Sequence, residues 1–206
     1  MFTRYPDNKL FLLCFALLSW FACSEPVYSP KPRMYPYVAY PDYQMQAIPD
    51  RTCPYRFKYP SYAVVEEDST FFEKKLEHSC WLNVQFPMFH GTLHCSYYLI
   101  TAENNLEKCI KDSYKLAREH QKKANYIDEH VIRKPNNVYG MLFNIEGPVA
   151  SPFQFYLTDS SQYFFRGALY FNSTPKPDSL QPVVEFIKKD VLEMINSFEW
   201  KTSTKK

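Results

Sequence analysis

The stretch FQFYLTDSSQYFFRGALYF, residues 153–171, holds two strand-length runs rich in Phe and Tyr on either side of a turn. Phe153 to Thr158 and Tyr163 to Phe171 are the runs. Asp159-Ser160-Ser161 is the turn, because such side chains hydrogen-bond their own nearby backbone. So short a connection makes the pair antiparallel. The same pattern repeats on both sides. Val138 to Ile145 follows the turn Pro135-Asn136-Asn137, itself preceded by a short strand near His130 to Arg133. Further upstream, Trp81 to Phe86 and Thr92 to Ile100 flank the hairpin-sized loop Pro87-Met88-Phe89-His90-Gly91. Leu93, Cys95, Tyr97 and Leu99 then share one face of their strand. A first strand is expected where Tyr55, Phe57 and Tyr59 alternate with Arg56 and Lys58, continued by Tyr62 to Val65. The charged stretch from Glu66 to Glu77 reads as a loop or short helix.

Two helices interrupt this series. The first is capped by Asn104 or Asn105. Its apolar stripe is Leu106, Ile110, Tyr114 and Ala117, with Cys109 and Leu116 along one edge. The second is capped by Asp178 or Ser179 and tolerates Pro182 in its first turn. Its stripe is Val184, Ile187, Val191, Ile195 and Phe198. The order is three strands, a helix, four strands, a helix. This predicts an α+β domain, with a mostly antiparallel sheet of six or seven strands flanked by helices in an α/β/α sandwich. The order of elements looks like the PsbP/Mog1-type architecture, a likeness that carries no function.

Composition agrees. Apolar residues make up 46% of 206, enough for a real core, and Tyr and Phe number 17 each, which favours strands. Net charge is +2, with no concentrated basic face of the kind phosphate backbones need, so nucleic acid is not an expected partner.

The N-terminus carries an export signal. Arg4 and Lys9 precede Leu10 to Phe21, an apolar run broken only by Ser19. It is too short to span a bilayer, which takes about 20 apolar residues, and it fits the core of a secretory signal. Ala22 directly before Cys23, with polar Ser24-Glu25-Pro26 after it, is the pattern of a lipoprotein cleavage site. Residues 1–22 are then a removable signal peptide, and Cys23 is the lipidation site that anchors the chain outside the cytoplasm, facing the periplasm. Residues 23–50 read as a lipidated N-terminus and a tether rich in Pro and Tyr, extended rather than helical. Its tyrosines, Tyr35 and Tyr37 among them, are passive spacers, or they dock on a partner or on the domain. Residues 51–201 form the single globular domain and residues 202–206 a frayed polar tail.

Outside the cytoplasm disulfides are permitted. Cys53 and Cys80 both sit at strand ends, and a bridge between them closes a loop of roughly 27 residues, contributing about 3 kcal/mol on the chain-entropy model. Cys95 and Cys109 read as small buried residues, a bridge between them being the alternative. No Cys-x-x-Cys pair suggests zinc. His90 and His94 are four apart, which on a strand separates them by about 13 Å, too far to share a metal. No Gly-x-Ser-x-Gly or phosphate loop occurs. Cys95 and His94 point to opposite faces, so they make no nucleophile and base. No catalytic residue, metal site or cofactor is therefore assigned. Arg166, among Phe and Tyr, needs a partner if buried. It is read as paired with a carboxylate, or else as a contact for a ligand or partner.

Taken together, the residues resemble the gliding motility lipoprotein GldD family of Bacteroidetes. The likeness runs from Pro30-Lys31-Pro32-Arg33 through Cys53-Pro54-Tyr55, Cys80-Trp81-Leu82-Asn83 and Gly91-Thr92-Leu93-His94. It continues through Val138-Tyr139-Gly140 and Phe155 to Ser160, and on through Phe165-Arg166-Gly167-Ala168-Leu169-Tyr170-Phe171 to Phe198-Glu199-Trp200-Lys201. Cys95 and Cys109 look like variants particular to this chain, which leaves them out of the bridge. The resemblance implies a membrane-held, non-catalytic assembly factor for gliding and the linked type IX secretion machinery, its partners being other proteins of those systems. A lipid-anchored ligand-binding protein or a hydrolase is the competing reading.

Overall fold

The computed structural model describes residues 38–67, 80–172 and 180–201, together with the backbone of residues 70–71, 74–75 and 177–179. The signal peptide expected over 1–22, the expected lipidation site Cys23, Tyr35 and Tyr37 of the expected tether, and the tail 202–206 lie outside the described residues.

In chain order the strands are β1 Met45–Ala47, β2 Tyr55–Arg56, β3 Lys58–Pro60, β4 Val64–Glu67, β5 Thr70–Phe71, β6 Lys74–Lys75, β7 Leu82–Phe86 and β8 Gly91–Leu99. Helix α1, Leu106–Arg118, follows. Then come β9 Tyr126–Lys134, β10 Val138–Glu146, β11 Phe153–Thr158 and β12 Tyr163–Phe171. Helix α2, Pro177–Ser197, and β13, Glu199–Trp200, complete the chain.

Seven strands make the central sheet, in the order β4-β7-β8-β12-β11-β10-β9, and every neighbouring pair is antiparallel. The decisive pair, β11 and β12, lies near its middle, where Phe155 faces Gly167 and Tyr156 faces Arg166. Strand alternation splits the side chains of this sheet between two cores. Leu82, Val84, Phe86, Leu93, Phe155, Leu157, Phe165 and Leu169 join α2 through Ile187 and Val191. Phe143, Ile145, Tyr156 and Phe164 join α1 through Cys109 and Ala117. The result is the three-layered α+β sandwich that the pattern of elements predicts.

Local chemistry explains the joints. Asn105 caps α1, its side chain accepting from the Lys108 backbone N–H at 2.9 Å. Asn136 and Asn137 take the left-handed conformation that the β9–β10 turn requires. Asp159 gathers the β11–β12 turn. Its Oδ1 accepts from the backbone N–H groups of Ser161, Gln162 and Tyr163 at 3.0, 2.8 and 2.8 Å. Gly140 is tight for a different reason, since a Cβ there would collide with the Tyr156 carbonyl oxygen.

Several expectations are corrected. Tyr55 to Tyr59 does not enter the central sheet. β2 pairs with β13, and β3 pairs with β1. The edge position falls to β4, at Val64–Glu67, and the charged stretch after it forms the small β5–β6 pair rather than a loop or short helix. The strand near His130 is nine residues long, not short. Its exposed edge position removes the apolar alternation that marks a strand in sequence. Helix α1 presents a face rotated from the expected one, while Ile187, Val191, Ile195 and Phe198 of the stripe expected for α2 are buried. In α1 the buried line is Cys109, Ser113 and Ala117, while Leu116 is exposed. In α2, Val183 and Met194 are buried and Val184 is half-buried. Helix α2 starts at Pro177, which puts Pro182 in its second turn, and ends before Phe198.

The tether reading also stops short of residue 50. β1 is paired, and Val38, Met45 and Ile48 pack on the α2-side core. Tyr40 lies 4.5 Å, ring centre to ring centre, from Phe186 of α2. This stretch is a strap on the domain, because its apolar side chains have a surface to cover. The C-terminal end is likewise held, with Trp200 opposite Tyr55 in β2.

Candidate functional site

The two sides of the sheet are covered unequally. α2 and the strap roof one side. On the other, among the described elements, α1 packs over β11, β12 and the Tyr98 end of β8, and it does not extend over β7, the start of β8 or the far end of β12. Register defines what lies there. Asn83, His94, Ala168 and Gln154 form one row across the sheet, and Gln85, Thr92 and Tyr170 the next. His94 is exposed, and Asn83, Gln85, Thr92 and Tyr170 are half-buried. His94 Nδ1 is hydrogen-bonded to Asn83 Oδ1 at 2.7 Å, and its ring meets that of Tyr170 edge-on at 5.7 Å. Gln85 Nε2 donates to Glu66 Oε2 of the edge strand. This is a prearranged polar and aromatic surface.

Where the open face meets α1, Ser96, Arg166 and Tyr156 form a third row. Arg166 Nη2 donates to Gln154 Oε1 at 3.0 Å. Among the described residues the carboxylate expected as its partner is not there: the acceptor is a neutral amide. Burial pushes the Arg166 pKa down, opposed by the phenols of Tyr170 and Tyr98. The nearby imidazole of His120 is lowered too, by burial first and by the Arg166 charge after it, with Glu119 opposing. Arg166 lines a cavity of about 300 Å³ between α1 and the sheet.

Cys53 and Cys80 are joined in a disulfide with Cα atoms 5.5 Å apart. Tyr55 donates from its hydroxyl to the Cys80 carbonyl at 2.6 Å, which ties the bridge to the aromatic core. Cys95 and Cys109 are free thiols, both buried. Burial raises the pKa of both, which suppresses the reactive thiolate. His90 sits in the turn after the 3₁₀ segment Pro87–Phe89 and takes no part in the His94 surface.

A second cleft, of about 790 Å³, lies between the strap and the end of α2. Its charges pair within it or at its margin: Arg56 with Glu199 at 2.6 Å, Lys201 with Asp50 at 2.8 Å and Arg51 with Glu67 at 3.0 Å. It joins the two ends of the described chain.

Three features carried no signal in sequence. Asp190, on α2, is 1% exposed and accepts a hydrogen bond from the Tyr62 hydroxyl. Gln154 is buried to the same degree. Lys134 Nζ donates to the carbonyls of Ile195, Asn196 and Phe198 at 2.5, 2.6 and 2.9 Å. A polar residue inside a strongly apolar stretch is the only hint sequence offers of the first two.

Among solved structures, the chain is similar to the solution structure of cyanobacterial PsbP from Synechocystis sp. PCC 6803, with 10% identity and a TM-score of 0.48, covering 78% of this chain and 94% of that one. No curated protein matches the chain. The family described as gliding motility lipoprotein GldD matches residues 25–200, from just after Cys23 to the strand that closes the fold, and the chain belongs to that family.

Proposed function

We propose that this protein is an assembly factor of the gliding apparatus and of the type IX secretion machinery linked to it, working by protein–protein contacts rather than by catalysis. Removal of residues 1–22 frees Cys23, and acyl chains on that residue hold the protein to a membrane on its periplasmic side. More than one chain gives stable attachment, since each buried CH₂ contributes about 0.8 kcal/mol. Residues 24–37, with Tyr35 and Tyr37, span from the lipid to the strap.

The observation that supports this reading is the part of the sheet that no described helix covers. There Asn83, Thr92 and Tyr170 are half-buried and His94 is exposed, and the pairing of their strands fixes their side chains. Preorganised surfaces of this kind lose little entropy on binding. Tyr35 and Tyr37 extend the partner contact along the tether. Arg166 is reached at the margin of the face.

Photo-cross-linking in intact cells tests the reading. A photoreactive residue replacing Thr92 is expected to capture a motility or type IX secretion component, as is one replacing Tyr37. One replacing Gln121, exposed in the 3₁₀ segment Glu119–Lys122 that follows α1, is the control. Capture of no such component from Thr92 and Tyr37, or equal capture from Gln121, overturns it.

A further inference from the structure

Beneath α1 lies a cation whose counter-charge the described chain does not supply. Arg166 makes one hydrogen bond among the described residues, to Gln154 Oε1. None of the ion pairs of the described residues includes it. Gln154 is 1% exposed, and its Nε2 has no acceptor among the described residues. A half-buried guanidinium gains from an incoming acceptor. The guanidinium borders a cavity of about 300 Å³, at the lower end of the range of small-molecule sites. Phe164, Tyr98 and Leu116 give the cavity apolar walls, and the carboxylates of Asp112 and Glu119, with the ammonium of Lys115 between them, lie on its helical side.

We propose that this cavity binds a small monocarboxylate with an aromatic or aliphatic body, the carboxylate on Arg166 and the body against Phe164 and Tyr98. The planar fork of an arginine matches a carboxylate in two parallel hydrogen bonds. Asp112 and Glu119 oppose a second negative charge, so a monoanion is favoured over a phosphate dianion. The apolar walls favour a ligand with a hydrophobic part over a bare inorganic ion. The site goes beyond the assembly role and stands on different residues. Failure of the cross-links from Thr92 leaves it intact, and failure here leaves the assembly role intact.

Calorimetric titration of the full-length protein, purified in detergent, with phenylacetate tests the site. Phenylacetate is expected to bind saturably, and neutral phenylacetamide and inorganic phosphate at least about tenfold more weakly, the loss expected of a missing charge-assisted pair. Arg166→Gln is expected to weaken phenylacetate by about tenfold or more on the same grounds. Glu119→Gln, on an exposed helical position that leaves the core alone, is expected to tighten it by roughly threefold by removing one like charge. Absence of saturable phenylacetate binding overturns the proposal. So does equal binding of phenylacetamide or phosphate, or an affinity unchanged in Glu119→Gln. An unchanged affinity in a folded Arg166→Gln variant overturns it as well.

Discussion

The Tyr62 hydroxyl donates a hydrogen bond to Asp190 Oδ2, joining the segment before β4 to the middle of helix α2 beneath the protein surface. Burial raises the Asp190 pKa and Glu193 adds to the rise, while the Tyr62 hydrogen bond opposes both. A carboxyl raised in the folded state stabilises fully below its unfolded pKa of about 3.9 and loses that contribution as pH climbs through the raised value. Asp190→Asn abolishes this slope. Stability relative to the native chain should therefore shift in favour of the variant between pH 4 and 7, read as denaturation midpoints across that range. A constant difference over the range refutes the assignment. Tyr62→Phe should cost about 1–3 kcal/mol at pH 7, leaving the carboxylate without its donor.

Asp159 has the opposite sign. Burial alone would raise its pKa, but the backbone N–H groups of Tyr163, Gln162 and Ser161, with the Ser161 hydroxyl, hold it below the usual carboxylate range. Its contribution is present above the unfolded value of about 3.9 and fades as pH falls through the depressed one. Asp159→Ala should cost about 1–2 kcal/mol at neutral pH and much less near pH 2. Urea titrations at the two pH values check this.

Lys134 closes the C-terminal end of α2 from the edge strand β9. Three carbonyls converge on one ammonium group where the helix dipole favours positive charge. Lys134→Met keeps the aliphatic stem and removes the donors, and should destabilise by about 1–3 kcal/mol. Hydrogen exchange should rise at the last turn of α2 before it rises in β11 and β12. Uniform acceleration would show that the contact does not act locally.

Reduction of the Cys53–Cys80 bridge, or Cys53→Ser with Cys80→Ser, should cost about 3 kcal/mol. The loss should appear as a lower thermal midpoint of the isolated protein under non-reducing conditions. A midpoint unmoved by the double substitution would show that the bridge constrains nothing.

The central sheet was legible because its inner strands alternate against clear turns. Phe153–Thr158 and Tyr163–Phe171 lie where Asp159 and its serines place them. Residues that defy hydropathy were not. Ser113 is buried in α1 because its hydroxyl donates to the Cys109 carbonyl at 2.9 Å, and Asp190 is buried because Tyr62 serves it. Both therefore sit where an apolar residue is expected, Ser113 on the buried line of α1 and Asp190 beside the buried stripe of α2. β9 was shortened in the reading because Asp128, Glu129 and His130 are exposed on an edge strand. β1 was hidden in a proline-rich run whose pairing with β3 depends on tertiary contact. Arg166 stood out in sequence. The amide that receives it did not, since Gln154 and Arg166 meet only through the β11–β12 register.

The Cys53–Cys80 bridge bears on mechanical load. With the anchor proposed at Cys23, tension enters along the chain towards residue 53. The short β1–β3 ladder resists little, but the pull then passes covalently from Cys53 to Cys80, two residues ahead of β7 in the central sheet. Residues 54–79 are bypassed, so β2, β3 and β4 are spared from being peeled away one by one. A drawn molecule should accordingly yield less extension when oxidised than when reduced, by about the contour length of that bypassed loop.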